Sequence, residues 1–279
     1  MTQKFCLARP CPVAAAAILG IAAFTNDASA VVLLQDNFDS YADQAAFLAA
    51  WPATVGTGNT LSNALSLSAP NSINLPITAQ RNDRSFAESG NPAALNVIRF
   101  SIDFFDPNSA AAPYRQVATL IDGAGSSSGQ LISLGMNNNQ AVGDSGGNFY
   151  MARILGYTAV TVDPEGGPNE AAGGTTVANS FFKLNDYGVG FRSTGWHNLA
   201  VEITNVEFKF FVDGVLAETV ANAATLRSYD SVRLGSGITA ATSANLDNVA
   251  VETNPVPEPG TLAFGLLGGL VLLRRRRCE

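Results

Sequence analysis

Ile98, Phe100, Ile102 and Phe104 alternate without a break with Arg99, Ser101, Asp103 and Phe105. A period of two is the spacing of a β-strand, whose successive side chains leave on opposite faces. One side of this segment must meet a core. The same alternation sets Leu199, Val201 and Ile203 against Ala200, Glu202 and Thr204, and Phe208, Phe210 and Val212 against Lys209 and Phe211. Asp213-Gly214 stands between Val212 and Val215. That pair suits a two-residue hairpin, because the turn needs positive φ. Further strands are expected at 117–121, 130–136, 148–155, 181–184, 232–234 and 246–252. One short helix is expected over 42–50, capped by Asp39 or Ser40, with Phe47 and Leu48 inward and Pro52 ending it. Residues 156–180 and 123–129 read as Gly-rich loops, and 70–92 as edge strands and loops. Many short strands with turn signals and hardly a helix define an all-β chain, a two-sheet antiparallel sandwich.

The ends differ from this body. Lys4 and Arg9 precede an alanine-rich apolar stretch from Val13 to Phe24, then Ala28-Ser29-Ala30. A charged start, a short apolar run and small residues form a signal peptide over 1–30, with Val31 first in the mature chain. At the other end, Pro255, Pro257 and Pro259 make an extended spacer that cannot run into a helix. The apolar run 260–273 follows, about 21 Å long as a helix. That is a short span for a hydrocarbon core of about 30 Å. Arg274, Arg275, Arg276 and Arg277 close it and would stay on the cytoplasmic side. Gly265 and Gly269 form a GxxxG match, which packs helices closely or simply accompanies such tails.

The order Val256-Pro257-Glu258-Pro259-Gly260, apolar run and arginine block resembles the PEP-CTERM sorting signal over 255–279 (Cys278-Glu279 trails past the pattern). The resemblance implies recognition of Pro257, Glu258 and Pro259 by an exosortase-type processing enzyme. It also implies a transient inner-membrane anchor, and release to the surface or polysaccharide matrix of a bacterium with an outer membrane. An ordinary C-terminal anchor is the other reading.

Between the signals, 31–254 holds 10 Lys and Arg and 20 Asp and Glu, about −10. With no basic stripe, nucleic-acid binding is disfavoured. Cys6, Cys11 and Cys278 all lie in the end segments, so the body has no disulfide.

Gly195-Trp196-His197-Asn198-Leu199, then Lys209-Phe210-Phe211-Val212-Asp213-Gly214, then Leu246-Asp247-Asn248-Val249, resemble the laminin-G/concanavalin-A-like jelly roll. Leu34 to Tyr41 resembles the opening of exported bacterial jelly rolls. The resemblance implies a jelly-roll domain over 31–254 that binds extracellular polysaccharide or serves as matrix structure.

Candidate sites follow from chemistry. His197 is the only histidine and has no second ligand at metal spacing, so packing beside Trp196 is its expected role. Asp36, Asp39 and Asp247 meet if the first and last strands are neighbours, and could supply oxygens to a structural Ca2+; turn capping is the competing reading. Loop acids Asp163, Glu165 and Glu170 are a weaker calcium set. Sugar binding needs exposed aromatics beside polar groups. Tyr157 and Tyr187 are the best candidates, ahead of Tyr150, Phe182 and Phe191, and Trp51 is expected to seal the sandwich edge. A retaining glycosidase needs two carboxylates about 5–5.5 Å apart. No strand carries Glu-x-Asp-x-x-Glu. A non-enzymatic binding or structural module is expected, with a polysaccharide hydrolase or lyase as the alternative.

Overall fold

A computed structural model describes residues 30–93, 96–108, 115–123, 129–137, 149–156, 160–162, 175–177, 181–222 and 227–253. In chain order these form β1 (Val31–Asp36), α1 (Gln44–Ala50), β2 (Ala53–Val55), β3 (Thr60–Ser62), β4 (Ser72–Leu75), β5 (Arg81–Ser85) and β6 (Ile98–Asp106). Then come β7 (Arg115–Ile121), β8 (Leu131–Asn137), β9 (Met151–Leu155), β10 (Val160–Val162), β11 (Thr175–Val177) and β12 (Phe181–Lys183). The last are β13 (Gly195–Ile203), β14 (Glu207–Val212), β15 (Val215–Ala221), β16 (Ser231–Leu234) and β17 (Ala244–Thr253).

Two antiparallel sheets hold most of these strands, an arrangement consistent with the expected jelly-roll sandwich. The eight-stranded sheet runs β15-β14-β13-β6-β17-β4-β3, with β1 also on β17. The seven-stranded sheet runs β12-β9-β8-β7-β16-β5-β2, and β10 pairs with β11 as a separate ribbon. β17 serves β4 with Ala244–Leu246 and β1 with Val249–Thr253, so first and last strands are neighbours as expected. A bulge between Asp247 and Ala250, with Asn248 at φ 45°, lies where β17 passes from one partner to the other; a bulge bends a strand and increases its twist.

The alternation of β6 is realised in full. Ile98, Phe100, Ile102 and Phe104 are buried, while Arg99, Ser101, Asp103 and Phe105 are half-exposed. Phe104 meets Tyr150 at 6.3 Å and Phe182 meets Phe210 at 5.3 Å, ring centre to ring centre, so the sheets bury their facing sides against each other. The Asp213-Gly214 turn has φ of 50° and 76°, both left-handed, as the hairpin requires.

Three local expectations change. Helix α1 starts at Gln44, capped by Asp43, whose Oδ1 accepts from Ala46 N at 2.8 Å. Asp39 is committed elsewhere, to Asn71 N at 2.9 Å and Asn37 Nδ2 at 2.7 Å. The expected edge strands of 70–92 include β4 and β5, which lie inside their sheets. Their polar residues are tolerated there because they are bonded: Asn82 accepts from Asn59 N and donates to the Trp51 carbonyl, each at 2.6 Å. The expected loop 156–180 contains β10 and β11. Both export segments, Pro257, Glu258, Pro259 and Arg274 to Arg277 included, lie outside the described residues. Among the described residues no helix is long and apolar enough to cross a membrane.

Candidate functional site

The seven-stranded sheet has a core side and an outer side. Leu120, Ile132, Ile154, Phe182 and Val232 belong to the core. Period two therefore turns Thr119, Ser133, Arg153, Phe181 and Arg233 outward. Strand register then aligns them. Asp83 pairs with Arg233, Arg233 with Thr119, Thr119 with Ser133, Ser133 with Arg153, and Arg153 with Phe181. One straight polar row thus crosses six strands and ends on an aromatic ring.

Neighbours within the row interact. Arg233 donates from Nε and Nη2 to the two oxygens of Asp83, both at 3.0 Å. The Thr119 and Ser133 hydroxyls are 2.9 Å apart. The Arg153 guanidinium lies 5.4 Å from the Phe181 ring centre, a cation–π distance. Thr119 and Ser133 are 4% and 7% exposed, so the middle of the row is sheltered. Beside it, Gly135 faces Val117 and Met151 in register. Its φ is 145°, and a Cβ there would lie 2.2 Å from the Gln116 carbonyl oxygen. Only glycine fits, and the face has no side chain at that point.

The aspartates expected to bind calcium each accept from protein donors. Asp36 accepts from Phe38 N at 2.8 Å, Trp51 Nε1 at 2.9 Å, the Tyr41 hydroxyl and Arg84 Nη1. Burial, followed by this carboxylate, pushes Tyr41 up to about 12. Asp247 accepts from Leu67 N at 2.9 Å, Ser68 N at 3.0 Å and Asn248 N at 2.8 Å. Burial nonetheless raises the Asp247 carboxyl above its ordinary range. Among the described residues no three His, Cys, Asp or Glu gather to hold a metal ion. The donors around Asp36, Asp39 and Asp247 do not fit one shared calcium, because N–H and O–H groups already aim at their oxygens.

Tyr187 is half-exposed in a left-handed turn after β12 and is not a member of the row. Tyr157 lies outside the described residues, as do Asp163, Glu165 and Glu170. Tyr150 and Phe182 are core, Phe191 is exposed against Phe149, and Trp51 is fully buried.

One constellation resembles a nucleophile triad. His197 Nε2 lies 3.2 Å from Ser193 Oγ, and Nδ1 lies 2.8 Å from Asp213 Oδ2. However, Nε2 is also 3.1 Å from the Ser193 carbonyl oxygen. In this geometry His197 clips the 193 loop to the β14–β15 turn, a structural role.

Sequence reasoning missed the row. Its signal is a polar residue between two apolar ones, in Ala118-Thr119-Leu120, Ile132-Ser133-Leu134 and Ala152-Arg153-Ile154.

No protein-family model matches the chain, and no curated protein matches it. Solved structures similar to it include the laminarinase catalytic domain of Thermotoga maritima MSB8, at 13% identity and TM-score 0.47, covering 82% of this chain and 100% of that one. An endo-1,3-beta-glucanase of Streptomyces sioyaensis is similar at 16% identity and TM-score 0.46, covering 88% and 99%. The botulinum neurotoxin serotype D binding domain is similar at 10% identity and TM-score 0.45; 74% of this chain is covered but only 44% of that one.

Proposed function

We propose that this is an exported surface or matrix protein whose seven-stranded sheet binds polysaccharide on its outer face without turning it over. The observation that carries the reading is the in-register row from Asp83 to Phe181. It sets partly exposed guanidiniums and an aromatic ring along one line, with the sheltered Thr119 and Ser133 hydroxyls between them, a mixture of the kind sugar recognition uses. Pairing of two carboxylates, as a glycosidase needs, has no counterpart in this row. Asp83 is its one carboxylate, and Arg233 holds both of its oxygens.

Export belongs to the same reading. It is supported by the signal-peptide pattern over 1–30 and by the PEP-CTERM-like tail with Pro257, Glu258 and Pro259 before Arg274–Arg277. An exosortase-type enzyme would remove that tail after transient membrane anchoring.

A glycan array followed by reducing-end assays on every bound sugar tests the proposal. Binding without release of reducing ends is expected. Turnover that disappears in Asp83→Asn would establish the hydrolase or lyase alternative instead. A chain with an intact tail and no matrix release in cells carrying an exosortase would remove the sorting part.

A further inference from the structure

The outer face of the eight-stranded sheet also places aromatic rings beside polar groups. Phe100, Ile102, Phe104, Leu199 and Val201 belong to the core. Period two turns Asp103, Phe105, Trp196 and Asn198 to the other side. Register sets Phe105 beside Trp196 and, two residues along each strand, Asp103 beside Asn198. All four residues are partly exposed. The Phe105 and Trp196 rings meet edge to face, with centres 5.5 Å apart. Asp103 Oδ1 accepts from Asn198 Nδ2 and its Oδ2 from Asn248 Nδ2, both at 2.8 Å. A carboxylate has about four lone-pair sites, so each oxygen can accept again.

The bulge in β17 makes this arrangement possible. Asp247 stands opposite Asp103 in register, and Asn248 brings its side chain to the same carboxylate. A regular strand would send these two neighbours to opposite faces. Asn248 braces Asp103, while Asp247 holds the 65–68 loop, accepting from Leu67 N at 2.9 Å and Ser68 N at 3.0 Å. Asp247 is fully buried by it, and Leu67 on that loop is 50% exposed. The patch therefore has a carboxylate–amide floor, an aromatic side and an apolar rim.

Elsewhere on this face the charges are paired with one another. Arg99 bonds to Glu202 at 2.7 Å and lies 5.9 Å from the Phe211 ring centre, and Lys209 meets Glu207 at 2.6 Å. Asp103 differs. Among the described residues its carboxylate has two amide partners and no cation.

We infer that this patch is a second saccharide site, separate from the row between Asp83 and Phe181, and that it takes a neutral pyranose ring of a polysaccharide. The C–H face of the sugar lies against Phe105 and Trp196. Its hydroxyls donate to Asp103 and exchange hydrogen bonds with the Asn198 and Asn248 amides. A bond to the carboxylate is charge-assisted and therefore the strongest of these. The same charge repels an acidic sugar. None of the residues behind the binding function proposed above takes part, so the two sites stand or fall separately.

The two tryptophans give a direct test. Trp51 is fully buried and Trp196 is partly exposed, so acrylamide quenching of tryptophan emission in the full chain reports on Trp196. Neutral laminarin, dextran and galactomannan are the probes, with alginate as the acidic one. At least one neutral polymer should protect Trp196 from the quencher, and alginate should protect it less. Asp103→Ala should raise the polymer concentration needed for protection about tenfold, the worth of one charge-assisted hydrogen bond. Equal protection by alginate and the neutral polymers overturns the neutral-sugar assignment. Equal protection in the natural chain and in Asp103→Ala overturns the site. Calorimetric binding of a polysaccharide that leaves Trp196 unprotected overturns this inference and leaves the reading of the seven-stranded sheet standing. Binding to no polysaccharide by either method removes both.

Discussion

Arg233 holds Asp83 by two parallel hydrogen bonds across the β16–β5 pair, each 3.0 Å long. Both side chains are partly exposed, at 17% and 26%, so solvent screens the attraction. A double-mutant cycle with Arg233→Ala and Asp83→Ala should give a coupling of about 1 kcal/mol. Urea denaturation at low and high salt checks this, and the coupling should shrink as salt rises.

Asp36 ties β1 to the helix and to β5. Tyr41, Trp51 and Arg84 all donate to its Oδ2, and Phe38 N donates to Oδ1. In Asp36→Asn either amide orientation points an N–H group at an N–H or O–H donor. A loss of about 3 kcal/mol is expected, because a buried charge pair is broken from one side. Chemical denaturation followed by tryptophan fluorescence measures it.

Asp106 is fully buried at the end of β6. Burial raises its carboxyl above the ordinary range, and Arg192 acts in the opposite direction. The folded chain therefore binds this proton more readily than the unfolded chain does. The group's unfavourable contribution is complete above its raised folded pKa and fades as pH falls to the unfolded value. Asp106→Asn does not titrate. The stability of the natural chain relative to this variant should rise as pH is lowered from about 7 to about 4. A flat or falling difference would contradict the assignment.

Gly135 occupies a backbone conformation that disfavours side chains, against the Gln116 carbonyl. Gly135→Ala should cost about 1–3 kcal/mol from the backbone strain alone. A lowered melting temperature with an unchanged far-UV spectrum is the expected signature.

Calcium at millimolar concentration should leave the melting temperature unchanged, since Asp36 and Asp247 already accept from surrounding donors. A calcium-dependent rise lost in Asp247→Ala would show that these donors can be displaced.

Some of this architecture was legible in the chain. Ile98 to Phe104 and Phe208 to Val212 carry their own period, and Asp213-Gly214 carries its own turn, because each depends only on residues a few positions apart. The helix was legible but not its cap. Asp39 and Asp43 are both good capping residues, and the choice depended on Asn71, 32 positions from Asp39.

The outer face of the seven-stranded sheet was different. Arg153 and Arg233 lie 80 residues apart in the chain, and Asp83 lies 150 from Arg233. Local patterning determined that each strand has one polar side, and therefore that two layers must hide the other. Which polar residues stand in one row depends on strand order and register, and those are set by the packing of the whole core. A one-residue slip would leave every strand intact and scatter the row, so only the tertiary structure could assemble it.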